Sequence, residues 1–174
     1  MIEASVNRLK RYRVLHPWLR IGFTIVYCAH RQITRLPGRD LSGVRVAVWR
    51  ADELLLVRHS YRPGLHLPGG ARAKGEGEGD AALRELAEEA GLGLAVSAPQ
   101  RRLGYVYPKR GRTQYTALWE AAHLGGAPRP DGVEIVWAGF LTAEQALTRE
   151  LSGLTRVYLN DRARNRVWPG FRPL

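Results

Sequence analysis

The chain has 174 residues and a formal net charge of +11, with 45% hydrophobic and 25% charged residues. That length supports one domain with its own core, the composition excludes disorder throughout, and the single cysteine, Cys28, excludes an internal disulfide and fits a reducing, cytoplasmic setting. A strong basic balance signals nucleic acid when it covers a fold, but here residues 1–45 hold net +7, residues 149–174 net +4, and residues 46–148 twelve charges of each sign.

Residues 1–16 read as a basic helix, with Ile2, Val6 and Leu9 at helical spacing, and Pro17 interrupts it. WLRIGFTIVYCAH (18–30) is apolar on most sides, and Pro37-Gly38 closes the region. The run is too short for a transmembrane span and carries Arg20 inside it. No small-residue cleavage site follows it, as a signal peptide would require. An apolar run of this kind does not lie bare in water. We expect it to pack on its own domain or on a second copy of the chain, as a homodimer. Peripheral membrane contact through residues 1–36 is the alternative, since Arg8, Lys10, Arg11, Arg13, Arg20, Arg31 and Arg35 would suit anionic lipid. These charges flank the apolar run and form no single polar face, which favours the dimer. Residues 1–40 are thus a helical N-terminal extension, and residues 41–174 form the domain.

The domain opens with GVRVAVWR (43–50), whose Val44, Val46 and Val48 alternate as in a strand. ADE turns the chain, and LLLVRH (54–59) returns it as a hairpin. SYRPGLHLPGG (60–70) is a loop. A helix follows at 81–90, then strands at 101–107, 114–121 and 133–140, a short helix at 142–147 and a basic helix at 153–166. Strands on both sides of a central helix point to an α/β sandwich with a mixed sheet.

The helix at 81–90 carries most of the chemistry. Asp80 is placed to cap it, and Gly91 to end it in the left-handed region. Leu83, Leu86, Ala87 and Ala90 fall in one stripe, the expected buried face. Glu85, Glu88 and Glu89 fall opposite, at spacings that bring their carboxylates together, with Arg84 the one basic neighbour. Like charges so placed repel by a few tenths of a kcal/mol per pair. Either the face is simply solvated, or a divalent cation lies between the carboxylates. Oxygen ligands of this kind favour Mg²⁺ or Mn²⁺ over zinc.

The wider spacing reads Gly70, five residues, Glu76, seven residues, Arg84-Glu85-Leu86, one residue, Glu88-Glu89, one residue, Gly91-Leu92. This resembles the Nudix hydrolase box at every specified position from Gly70 to Leu92, and more weakly the family from about Gly43 to Leu147. The resemblance implies a Nudix-type α/β/α sandwich and a Mg²⁺- or Mn²⁺-dependent hydrolase that cleaves the diphosphate linkage of a nucleoside diphosphate derivative. It implies Glu85, Glu88, Glu89 and the Gly70 carbonyl as metal ligands, with one carboxylate left to take the water proton. Arg84 would orient a glutamate, and Glu76 would hold the loop.

Outside the box, Arg58, Arg62, Lys109, Arg110 and Arg112 are candidate phosphate contacts, since guanidinium forks match phosphate oxygens. Tyr61, His66, Tyr105 and Tyr107 are candidate stacking surfaces for a base. Glu134 is a candidate for the extra acidic group that many Nudix enzymes carry outside the box. Pro108, sixteen residues after Leu92, resembles the marker of ADP-ribose pyrophosphatases, and Tyr107 lies near where dinucleoside polyphosphate hydrolases carry a tyrosine. The first favours a nucleotide sugar such as ADP-ribose. The alternatives are removal of diphosphate from an RNA 5′ end, with the basic ends gripping the backbone, and a nucleotide-binding module that does not hydrolyse.

Deletion of residues 1–36 is expected to leave a folded core with the activity of the full-length chain, and to convert a dimer to a monomer. Light scattering and activity assays on both proteins check this. A folded but inactive core, or a dimer that survives the deletion, contradicts it.

Overall fold

The computed structural model describes residues 42–73, 75–93, 95–98, 100–109 and 112–164, with the backbone alone at 100–103, 105–109, 112–114 and 163–164. The expected N-terminal helices lie outside the described residues. The elements, in chain order, are β1 (Gly43–Arg50), β2 (Glu53–His59), α1 (Glu78–Ala90), β3 (Gln100–Lys109), β4 (Arg112–Ala122), β5 (Ile135–Thr142), α2 (Ala143–Leu147) and α3 (Gly153–Arg164). The strands form one mixed sheet in the order β3-β4-β1-β2-β5. β1 runs parallel to β4, and the other neighbours are antiparallel.

β1 and β2 are apolar on both faces, as sheet strands covered on both sides must be. Val46, Val48 and Leu55 pack under Ala82, Leu86 and Ala90 of α1. Ala47, Leu54 and Leu56 face the other way, onto Ala146 of α2 and Tyr158 and Leu159 of α3. The result is the expected three-layer arrangement. α2 is capped by Thr142, whose hydroxyl accepts the Gln145 amide while the Gln145 side chain returns to the Thr142 amide.

Two expectations are corrected. α1 starts at Glu78 and not at 81, and its N-cap is Gly77, without a side-chain cap. Asp80 lies inside the first turn, where its charge and that of Glu78 complement the helix dipole. Gly91 does end the helix in the left-handed region, at φ 67°. The buried stripe is also rotated: Ala81, Ala82, Glu85, Leu86, Glu89 and Ala90 are buried, Leu83 is half-buried and Ala87 is exposed. The cause is the loop before α1, which covers the flank that periodicity alone assigns to solvent.

That loop is part of the sheet. β1 and β2 pair directly only near their turn, at Trp49–Leu54 and Arg50–Glu53. Further along, residues 66–70 run between them. His66 and Val57 exchange both backbone hydrogen bonds at 2.9 Å, while the Val46 and Val44 amides donate to the Pro68 and Gly70 carbonyls at 2.9 Å. The loop is also tied to the segment between α2 and α3, through the Leu65 amide to the Glu150 carbonyl (2.8 Å), and to α3, through the Leu67 amide to Thr155 Oγ1 (3.1 Å). The close approach to β1 demands glycine at 69. Its φ is +135°, and a Cβ there would lie 2.2 Å from the Val44 carbonyl oxygen.

Gly69→Ala should therefore cost about 2–4 kcal/mol, from backbone strain plus displacement of β1. Gly75→Ala serves as control: it also has positive φ, but nothing lies within 4 Å of the added carbon, so its cost should be about 1 kcal/mol. Urea denaturation of both variants reads the difference, and equal losses would contradict the packing argument.

Candidate active site

The site forms where the flank of α1 meets the loop. Arg84 joins the two. Its Nε and Nη2 donate to the two oxygens of Glu76 at 2.7 and 3.0 Å, Nη2 also to the Ala71 carbonyl at 3.1 Å, and Nη1 to Glu85 Oε1 at 2.8 Å and Glu88 Oε2 at 3.1 Å. Glu76 also accepts the Ala73 amide at 2.8 Å. The Arg84 hydrogen bonds, with the Ala73 amide behind them, hold its carboxyl down to about 2. Glu89 Oε2 accepts the Gly69 amide at 2.8 Å. Glu85 packs on Gly70 so closely that a Cβ there would lie 2.5 Å from its carboxylate. The Gly70 carbonyl accepts the Val44 amide, at 2.9 Å.

The three glutamates are not equivalent. Glu88 is well exposed, whereas the side chains of Glu85 and Glu89 are 11% and 8% exposed. The expectation that all three lie on a solvent face is corrected for Glu85 and Glu89. Burial raises Glu85 above the ordinary carboxylate range, against the pull of Arg84. Burial raises Glu89 to about 7, against the Arg45 charge and the Gly69 amide. In each of the three carboxylates one oxygen is hydrogen-bonded by the protein, and the other makes no hydrogen bond among the described residues. Two under-compensated buried carboxylates beside an exposed third fit an oxygen-coordinated divalent cation.

A second group adjoins Glu89. His59 ends β2, and its side chain is 1% exposed. Its Nε2 lies 3.8 Å from Glu89 Oε1 and its Nδ1 3.9 Å from Glu134 Oε1. Arg62 Nη2 is 3.1 Å from His59 Nε2. A guanidinium only donates, so Nε2 accepts and the ring proton sits on Nδ1. Burial, then the Arg62 charge, lowers His59 to about 2, and the ring is neutral. The Tyr61 hydroxyl donates to Glu134, and its ring lies beside the Arg62 guanidinium. His66 meets His59 edge-on, with ring centroids 5.1 Å apart.

The fold thus brings together Gly70, Glu76, Arg84, Glu85, Glu88 and Glu89 around the helix flank, and Tyr61, Arg62, His66 and Glu134 around His59. Glu134 precedes β5, which begins at Ile135 and not at 133, and its carbonyl accepts the Ser60 amide at 2.8 Å. Arg58 is exposed between buried Val57 and His59. Arg110 lies outside the described residues, as do the side chains of Tyr105, Tyr107, Lys109 and Arg112.

A model of the NUDIX domain matches residues 40–160 of the chain. The chain belongs to the Nudix family. An uncharacterised Nudix hydrolase of Streptomyces coelicolor is 36% identical over 105 residues, a match that takes in 59% of this chain and 56% of that relative's length. Among solved structures, a MutT protein from Methanosarcina mazei superposes with a TM-score of 0.62 at 18% identity, covering 75% of this chain and 99% of that one. An Ap4A hydrolase from C. elegans superposes with a TM-score of 0.59 at 20% identity, covering 72% and 96%. At such identities these likenesses show the Nudix fold.

Two residues at this Nudix site escaped the sequence reading. His59 follows Leu55 and Val57 at period two, on the strand face that packs under α1; that alternation was its signal. Arg45 of β1 bears on Glu85, Glu89, His59 and His66 through its charge. It is read from sequence as one more strand residue.

Glu89 sets a pH dependence of stability. Its folded value, about 7, lies above the ordinary 4.5, so the folded chain holds a proton that the unfolded chain releases. The resulting destabilisation develops as pH rises from 4.5 and is complete above 7. In chelator-treated protein, Glu89→Gln, which keeps an acceptor for the Gly69 amide, should stabilise the fold by about 2–3 kcal/mol at pH 8 and change little at pH 4. Denaturation at the two pH values checks the sign.

Proposed function

We propose that the chain is a Mg²⁺- or Mn²⁺-dependent hydrolase that cleaves the diphosphate linkage of a nucleoside diphosphate derivative, of the nucleotide-sugar class that includes ADP-ribose. The observation that carries this reading is the division of labour within Glu85, Glu88 and Glu89, each held by one oxygen and offering the other. The free oxygens of Glu85 and Glu89, with the Gly70 carbonyl, would hold the ion. Bound there, it supplies charge neutralisation for the diphosphate and polarises the phosphorus under attack.

The residues of the chain do the rest. Arg84 fixes Glu85 and Glu88 and ties both to the loop through Glu76 and Ala71. The Gly69 amide fixes Glu89. Glu88 is the exposed member, and its Oε1 accepts the proton of the attacking water. Arg62, held by His59 and Tyr61, stands beside the carboxylates as a contact for substrate phosphate. The basic ends, which carry the whole net charge, favour RNA 5′-end hydrolysis as the second reading. An RNA substrate would bind far less tightly at high salt, and a nucleotide sugar would not.

Glu89→Gln should weaken metal binding at least tenfold and abolish hydrolysis. Glu88→Gln should lower kcat by about 10²–10⁴ with the fold intact. A nucleotide panel assayed with Mg²⁺ and Mn²⁺ against both variants tests the reading, and full activity in both at millimolar Mg²⁺ rejects it.

A further inference from the structure

We propose that His59 and Glu89, with Glu134 behind the ring, form a cation position of their own, with a nitrogen ligand that the glutamates of the helix do not supply. It goes beyond the function proposed above and shares with it Glu89 and the contact between His59 and Arg62. One ligand atom from each of His59, Glu89 and Glu134 can be chosen so that all three lie within 4.8 Å of one another. They come from the end of β2, the last turn of α1 and the residue before β5, so the fold, and not one flexible segment, assembles them.

One nitrogen of the ring is placed for a cation and the other for a carboxylate behind it. His59 is almost fully buried, yet its Nδ1–H has no hydrogen-bond partner among the described residues, which is uncommon for a buried polar atom and leaves the proton for a carboxylate. The lone pair on Nε2 already receives a positive group, Arg62 Nη2 at 3.1 Å, with Glu89 Oε1 3.8 Å from the same nitrogen. The guanidinium thus stands where an ion shared by His59 and Glu89 would bind. An ion taking that lone pair displaces Arg62 from the ring. The Nδ1 proton then has Glu134 as its acceptor, now 3.9 Å away, and Glu134 is itself steadied by the Tyr61 hydroxyl. A carboxylate behind a metal-bound imidazole is the usual means of fixing its tautomer and orientation. An imidazole ligand favours first-row transition metals such as Zn²⁺ over Mg²⁺, and a site that joins it to a carboxylate also admits Mn²⁺.

The test uses Mn²⁺ alone on the full-length chain, without substrate. Pulsed electron paramagnetic resonance should show the ¹⁴N coupling of a directly bound imidazole in the wild type. The coupling should vanish in His59→Gln, which keeps an acceptor for Arg62, and the Mn²⁺ stoichiometry should fall by one. Glu134→Gln should keep the coupling while weakening the nitrogen-bound Mn²⁺ by about 10-fold or more. Bound Mn²⁺ without ¹⁴N coupling in the wild type overturns this inference and leaves the ion at the glutamates standing. No bound Mn²⁺ at all removes both.

Discussion

The arrangement of the site depends on one guanidinium. Arg84 reaches Glu76 and the Ala71 carbonyl on the loop, and Glu85 and Glu88 on the helix. Bidentate contact with Glu76 fixes the plane of the fork, and the remaining donors then set where the helix carboxylates stand. Four acidic groups gather here, counting Glu89 one turn from Glu85, and their mutual repulsion is offset locally by this one side chain and more distantly by Arg45. Burial outweighs that compensation at Glu85 and Glu89, and raises both carboxyls above the ordinary range.

The second constraint is steric. Gly69 and Gly70 let backbone approach β1 on one side and the Glu85 carboxylate on the other, at distances no side chain would permit. The Gly69 amide and the Glu89 carboxylate meet because of that approach. Local conformation, the sheet and the charge arrangement therefore agree: the glycines admit the loop into the sheet, the loop buries the helix flank, and burial tunes the carboxylates.

Much of this was legible in the sequence. The hairpin, the order of elements and the ending of α1 at Gly91 follow from alternation and turn residues. Glu85, Glu88 and Glu89 beside Arg84 follow from helix spacing, and Gly70 and Glu76 join them through the resemblance to the Nudix box. What periodicity could not show was the environment of each helix face. It assigned Glu85 and Glu89 to solvent because charged residues usually lie there, and the loop that covers them is neither a strand nor amphipathic. His59 was hidden for a similar reason: its neighbours Glu89 and Glu134 are distant in the chain, and their meeting is a property of the sheet order.

The threading of residues 66–70 between β1 and β2 limits how this site can vary. That segment is in register with Val57 on one side and with Val44 and Val46 on the other, so an inserted or deleted residue would turn alternate groups to the wrong face and move Gly69 off Glu89. Length changes are tolerable only outside the registered stretch. The placement of the carboxylates is thus locked by the sheet, while the chain outside the registered stretch is free to change in length.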